Sequence, residues 1–295
     1  MFDLRYHVAS LAAVFLMLVV GILVGIGISG RGFVSDAERT RLNADINSLR
    51  EQRDAANASV DDLENRQQAA EDFVESAYPV LAENRLRGKR VGVLVLGPVD
   101  PSLGEIEQAV EEDAGGNVAR IRALTLPLRY EQVENILDRN QELAGYAGDE
   151  ALANLGRDLG RELAAGGLTP LWDALESELV EVKEGGLSDP VDAIVVMRTA
   201  EPQKGETSRF LAGVYQGLGG TGVPVVGVEP LRVEQTAIPV FQRHELSTVD
   251  GVDTELGKLG MILLLAGGDR GDYGTRDTAE DGILPPIEPL PPDGG

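Results

Sequence analysis

The chain has no cysteine and only two histidines, His7 and His244, among its 295 residues. The first absence removes disulfide frameworks, thiolate metal sites and a cysteine nucleophile together. The second leaves a serine–histidine–aspartate centre nothing to build on but His244, and no Gly-x-Ser-x-Gly elbow accompanies it. Gly97 closes the first strand-like run, where a doubly wound fold opens its phosphate loop, yet neither Gly-Lys-Ser/Thr nor a tight Gly-x-Gly-x-x-Gly follows it. Positive charge is also short: 26 basic residues face 49 acidic ones, a formal charge of −23. Such a surface repels nucleic acid and anionic headgroups, so a nucleic-acid partner is excluded.

What is abundant comes first in the chain. From Val8 to Ser29 no residue is charged, and a helix of this length spans roughly 33 Å, against a hydrocarbon core of about 30 Å. Residues 1–34 therefore read as a single-pass membrane anchor, with a cleaved leader ending at Ser29 as the alternative. Gly21 and Gly25 have the small-xxx-small spacing that lets two helices meet closely in lipid, although glycine is common in such helices anyway. Tyr6 and Arg5 suit the interface, which makes His7 an interface residue. Arg5 before the helix and Arg31, Arg39 and Arg41 after it leave the orientation open.

Residues 35–87 form a second region. No glycine or proline interrupts Ser35 to Tyr78, and apolar positions recur at spacings of four and three through Leu42, Ile46, Leu49, Val60, Leu63 and Val74, with Arg53 and Gln67 also on the seam. This heptad pattern predicts a coiled-coil stalk and a homo-oligomer, the alternative being a lone amphipathic helix. Tyr78-Pro79 is expected to end or kink the rod, which would reach about 66 Å.

Residues 88–282 alternate apolar runs with helical patterns. Strands are expected at Val91–Leu96, near Val118–Leu126, at Asp192–Met197 and at Val223–Val228. Helices are expected at Ser102–Asp113, Tyr130–Ala144, Ala151–Ala164, Pro170–Val182, Ser208–Leu218 and Asp253–Ala266. That order implies an α/β class with an open, mostly parallel sheet. Residues 283–295, rich in proline, read as a disordered tail.

No candidate metal set stands out, and the metal site residues are unknown at this level. Copper favours thiolate, thioether and imidazole, and the body offers only the scattered His244, Met197 and Met261. The carboxylates at Glu245, Asp250, Asp253 and Glu255, followed by Asp269, Asp272, Asp277, Glu280 and Asp281, lack EF-hand spacing and suit a solvated face better than a hard-cation site. Within Ser247-Thr248-Val249-Asp250-Gly251-Val252-Asp253-Thr254, Gly251 allows a turn and Asp253 or Thr254 caps the next helix, with Glu255 in its first turn. Catalysis is not expected.

Several segments together resemble the actinobacterial copper-transport protein B family. They are Phe2 to Leu11, the anchor with its coiled stretch, Ser247 to Thr254, Gly257-Lys258, and Gly271-Asp272-Tyr273-Gly274 with Leu284-Pro285-Pro286. The resemblance implies an envelope protein with an extracytoplasmic body, linked to copper homeostasis or to control of septal peptidoglycan hydrolases. It supplies no copper ligands, and Asp272 stands where members often carry histidine. Two functions follow as expectations: copper transport or homeostasis, or a non-enzymatic dimeric scaffold for another envelope protein. Any copper cofactor is implied by resemblance only.

Overall fold

The computed structural model describes residues 4–29 and 36–289. The chain divides into two compact units, Met1–Ala70 and Glu71–Gly295.

The first unit is helical. Helix α1 (Leu4–Ser29) contains His7–Gly27, a stretch long and apolar enough to cross a membrane. Helix α2 (Asp36–Ala82) begins in this unit and has no glycine to weaken it. Its polar surface is held by local contacts such as Arg66 to Asp62 at 2.9 Å and the Asn65 amide donating to the Asp61 carbonyl at 2.7 Å. A side-chain ion pair one turn apart, as in Arg66–Asp62, contributes about 0.2–0.5 kcal/mol.

The last turns of α2 belong to the second unit, and the helix runs through Pro79 to Ala82. A proline there costs about 3 kcal/mol in an isolated helix. Here docking offsets it: Tyr78 and Ala82 are buried, and the Tyr78 hydroxyl donates to Asp113 at 2.5 Å. The expected stop at Tyr78-Pro79 is therefore displaced to Ala82.

The body is an α/β fold around one seven-stranded sheet. In chain order its elements are β1 (Arg90–Leu96), α3 (Ser102–Gln108, continued by a π-helical turn over Ala109–Asp113), β2 (Asn117–Leu124), α4 (Tyr130–Arg139), α5 (Leu152–Ala165), α6 (Pro170–Leu179) and β3 (Val180–Glu184). They continue with β4 (Ala193–Arg198), α7 (Gly205–Gly219), β5 (Val225–Glu229), α8 (Ile238–Arg243), β6 (Ser247–Asp250), α9 (Glu255–Ala266) and β7 (Asp272–Tyr273). The spatial order is β3-β2-β1-β4-β5-β6-β7, parallel throughout except that β3 runs antiparallel to β2. The mostly parallel sheet matches the sequence reading.

Alternation along the strands builds two cores. Leu94 and Leu96 of β1 and Ile194 and Val196 of β4 face a cluster closed by α4 to α8. Val91, Val93 and Val95, with Ala193, Val195 and Met197, face the other, closed by α3, α9 and the end of α2. A strand buried on both faces needs a continuous apolar run, which is why these two were legible. Between α5 and α7 the backbones meet directly. A Cβ added at Gly156 would lie 2.1 Å from the Phe210 carbonyl oxygen, and one at Gly217 would lie 2.0 Å from that of Arg157.

Three expectations need correction. The helix from Pro170 stops at Leu179, and Val180–Glu184 pairs as an edge strand, the β-branched residues at 180 and 182 favouring that outcome. The expected set of strands lacked Ser247–Asp250, which is a strand. The body also continues beyond residue 282: Leu284 packs on the second core, Pro285 is buried, and the Glu288 carbonyl accepts from Arg85 Nη1 at 2.6 Å.

Candidate functional site

Open parallel sheets usually bind ligands outside the carboxyl ends of strands where the order reverses, here between β1 and β4. At that point the chain meets itself. The amides of Thr199 and Ala200 both donate to the Leu96 carbonyl, at 3.1 and 3.0 Å. Gly97, at φ +123°, would bring a Cβ within 2.6 Å of the Ala200 nitrogen. The turn after β1 is thus packed directly against residues 199–200.

The paired end motifs converge one step along, at the carboxyl ends of β5, β6 and β7. Glu229, 1% exposed, ends β5 and accepts from Thr236 Oγ1 at 2.8 Å, the Ala237 amide at 2.7 Å and Arg276 Nη1 at 2.5 Å. Asp250, 3% exposed, ends β6 and accepts from the Thr275 amide and hydroxyl at 2.9 and 3.2 Å and from the Arg276 amide at 3.1 Å. Gly274 has no room for a side chain, because a Cβ would sit 2.2 Å from Asp250 Oδ2. Arg276 reaches on to the Leu231 carbonyl, and the Leu231 amide donates to Asp253 Oδ1 at 2.6 Å.

The same motif starts α9. Thr254 Oγ1 accepts from the Gly257 amide at 3.2 Å and donates to the Gly251 carbonyl at 2.7 Å. Thr254 is thus the cap and Asp253 a brace for the neighbouring loop. Gly257 is required by a close approach: a Cβ there would lie 2.0 Å from the Gly251 oxygen. Ser247 Oγ accepts from the Gly271 amide at 3.3 Å, and Thr248 donates to Asp272 Oδ1 at 2.6 Å. Val249 sits in the second core, and Lys258 pairs with Glu105 of α3. Ser247, Thr248, Val249, Asp250, Asp253, Thr254 and Gly257 therefore fall in one assembly. Sequence reading did not single out Glu229, Thr236 or Arg276; the one available signal was a glutamate ending an apolar run.

A carboxylate offers about four lone-pair directions, and those of Glu229 and Asp250 are directed at protein donors. The arrangement locks three strand ends to two loops. Among the described residues no three His, Asp or Glu side chains converge on a point that would hold a metal ion. Met197 and Met261 are fully buried in an apolar cluster. His244 rests 5.1 Å from the Tyr215 ring, and burial, reinforced by Arg243, holds its pKa below the ordinary value. Its neutral nitrogen could contact a soft cation, but an aromatic ring lies beside it and the Arg243 charge acts against a cation there. Among the described residues, His244, Met197 and Met261 do not make a copper site.

In the first unit, Leu42, Ile46, Leu49, Val60 and Leu63 are 37 to 64% exposed, and Val74 of the second unit is half-buried. Added Cβ atoms at Gly21 and Gly25 would meet nothing within 4 Å.

Relatives were found in Mycobacterium tuberculosis and Mycobacterium bovis. Each, named Copper transporter MctB, is 26% identical over 313 residues, covering 93% of this chain and 96% of the relative. The match spans anchor, helix and sheet alike, and a family model described as copper transport outer membrane protein, MctB, covers residues 1–284. With almost the whole length accounted for, the chain belongs to the MctB family.

Proposed function

We propose that this protein serves copper homeostasis in the cell envelope as a non-enzymatic homodimeric scaffold, anchored by α1 with its body on the extracytoplasmic side. The link to copper rests on the family and on the name of its relatives. The mode of action rests on one observation: an exposed apolar stripe at heptad spacing along α2, through Leu42, Ile46, Leu49, Val60 and Leu63.

Burying such side chains yields roughly 1.5–3 kcal/mol each. Five from each of two copies, each about half exposed beforehand, yield roughly 8–15 kcal/mol, which is comparable to an association cost of about 4–15 kcal/mol. Arg53 and Gln67 on the same seam lower the yield and help fix register. Gly21 and Gly25 give the anchor a compatible face. The client is another envelope protein, a cell-wall hydrolase being one candidate, and copper reaches the system through that assembly rather than through ligands of this chain.

The test uses full-length protein in detergent, with its mass by light scattering and Cu(I) and Cu(II) binding by calorimetry. A dimer that Leu49→Lys with Leu63→Lys converts to a monomer, and only weak copper binding indifferent to His244→Ala, support the proposal. A monomeric wild type, or tight stoichiometric copper lost in His244→Ala, overturns it.

A further inference from the structure

Beside the carboxyl end of β4 lies a cavity of about 320 Å³, bounded by the 199–204 loop, α7 and α8. Its volume lies within the range of small-ligand sites, roughly 300–1,000 Å³. Two arginines line it, Arg198 and Arg243, and no aspartate or glutamate does. In a chain of charge −23 that is a reversal of local sign.

Neither arginine has an acidic partner within 4 Å among the described residues, unlike Arg122, Arg129, Arg157, Arg209 and Arg276. Arg198 donates from Nη2 to the Thr236 carbonyl at 3.1 Å, but its buried Nε has no acceptor. Arg243 donates only to a carbonyl of its own helix, that of Pro239 at 3.1 Å. Two guanidinium groups that line one cavity without a carboxylate partner are suited to pair with a bound anion.

The lining also carries apolar side chains, Leu211 and Val240, with the rings of Tyr215 and His244. Tyr215, 2% exposed, stands edge-on to Phe241 at 5.6 Å and is fixed in place. Its phenol is pushed up to about 12 by burial, an effect the nearby Arg198 charge opposes. Gln203 and Ser208 add neutral donors to the lining. The arginine side is tied to the motif assembly, since Thr236, which holds Arg198 through its carbonyl, donates its hydroxyl to Glu229.

We propose that this cavity binds a small organic phosphate, with Arg198 and Arg243 gripping the dianion and Leu211, Val240 and Tyr215 taking an apolar body. Guanidinium forks match phosphate oxygens in geometry as well as charge. The inference is independent of the copper and scaffold readings.

Full-length protein in detergent is titrated calorimetrically with phenyl phosphate and, separately, with inorganic phosphate. Phenyl phosphate is expected to bind saturably and more tightly than inorganic phosphate. Arg198→Gln and Arg243→Gln should each weaken it by about tenfold or more, the effect of losing one charge-assisted hydrogen bond. Arg139→Gln, an exposed change outside the cavity, should leave it unaltered. Arg243 is exposed, so its variant keeps the test valid should Arg198→Gln unfold. Absence of saturable phenyl phosphate binding, or unchanged affinity in folded Arg243→Gln, overturns the site. Equal affinity for the two phosphates overturns the role of the apolar side chains.

Discussion

Replacing Glu229 by glutamine should destabilise the body by about 3 kcal/mol, and the reason can be worked from its surroundings. The carboxylate is 1% exposed and receives Thr236 Oγ1, the Ala237 amide and Arg276 Nη1. A glutamine turns one acceptor into a donor facing donors and leaves the Arg276 charge without its counterion. Removing one member of a buried pair costs about 3–5 kcal/mol. The low end applies because Arg276 is 26% exposed and keeps its bond to the Leu231 carbonyl. Arg276→Gln should cost about 2 kcal/mol, since two uncharged donors still reach Glu229. The double variant should cost little more than Glu229→Gln alone, leaving a coupling of roughly 2 kcal/mol. Trp172, the only tryptophan, is 2% exposed and reports on this body alone, so urea unfolding in detergent can be followed by its fluorescence. Single penalties that add in the double variant, or a Glu229→Gln cost below about 1 kcal/mol, would refute the lock.

Three further outcomes are expected. Gly257→Ala should cost about 3 kcal/mol or more in the same unfolding assay, because its Cβ meets the Gly251 carbonyl at 2.0 Å. Gly104→Ala, in α3 with nothing within 4 Å of the new atom, should gain about 0.5–1 kcal/mol. The pH dependence of melting should carry the signature of His244, whose folded pKa lies below the ordinary value because of burial and Arg243. As pH falls through about 6.5 the unfolded chain takes up a proton that the folded chain refuses, so stability present above that pH is lost below it. His244→Gln should remove that component of the acid slope, and an unchanged slope would show that His244 protonates equally in both states.

How much was legible depends on where each residue's partners lie. Val91–Leu96 and Ala193–Met197 announce themselves because burial on both faces demands an unbroken apolar run. Strand β3 lies at the sheet edge with an alternating, half-exposed pattern that a preceding helix obscures. Strand β6 hides for another reason: three of its four residues are polar, and Ser247, Thr248 and Asp250 are buried only because residues 271–276 supply partners. No local pattern reveals bonds made across some 25 positions. The motif could be recognised as a unit, whereas its role as a lock needed the fold. The glycines make the same point. Spacing drew attention to Gly21 and Gly25, while no local pattern marks Gly156 and Gly160 of α5, whose lack of a Cβ lets α7 approach closely.

The central claim, that the seam on α2 rather than a metal ligand carries function, is tested most directly by copper tolerance. A bacterial strain lacking its own copy would be complemented with the wild-type chain, with Leu49→Lys plus Leu63→Lys, and with His244→Ala, membrane levels being matched. The expected result is tolerance restored by wild type and by His244→Ala and lost with the two lysines. Tolerance retained with the lysines and lost in His244→Ala would contradict it.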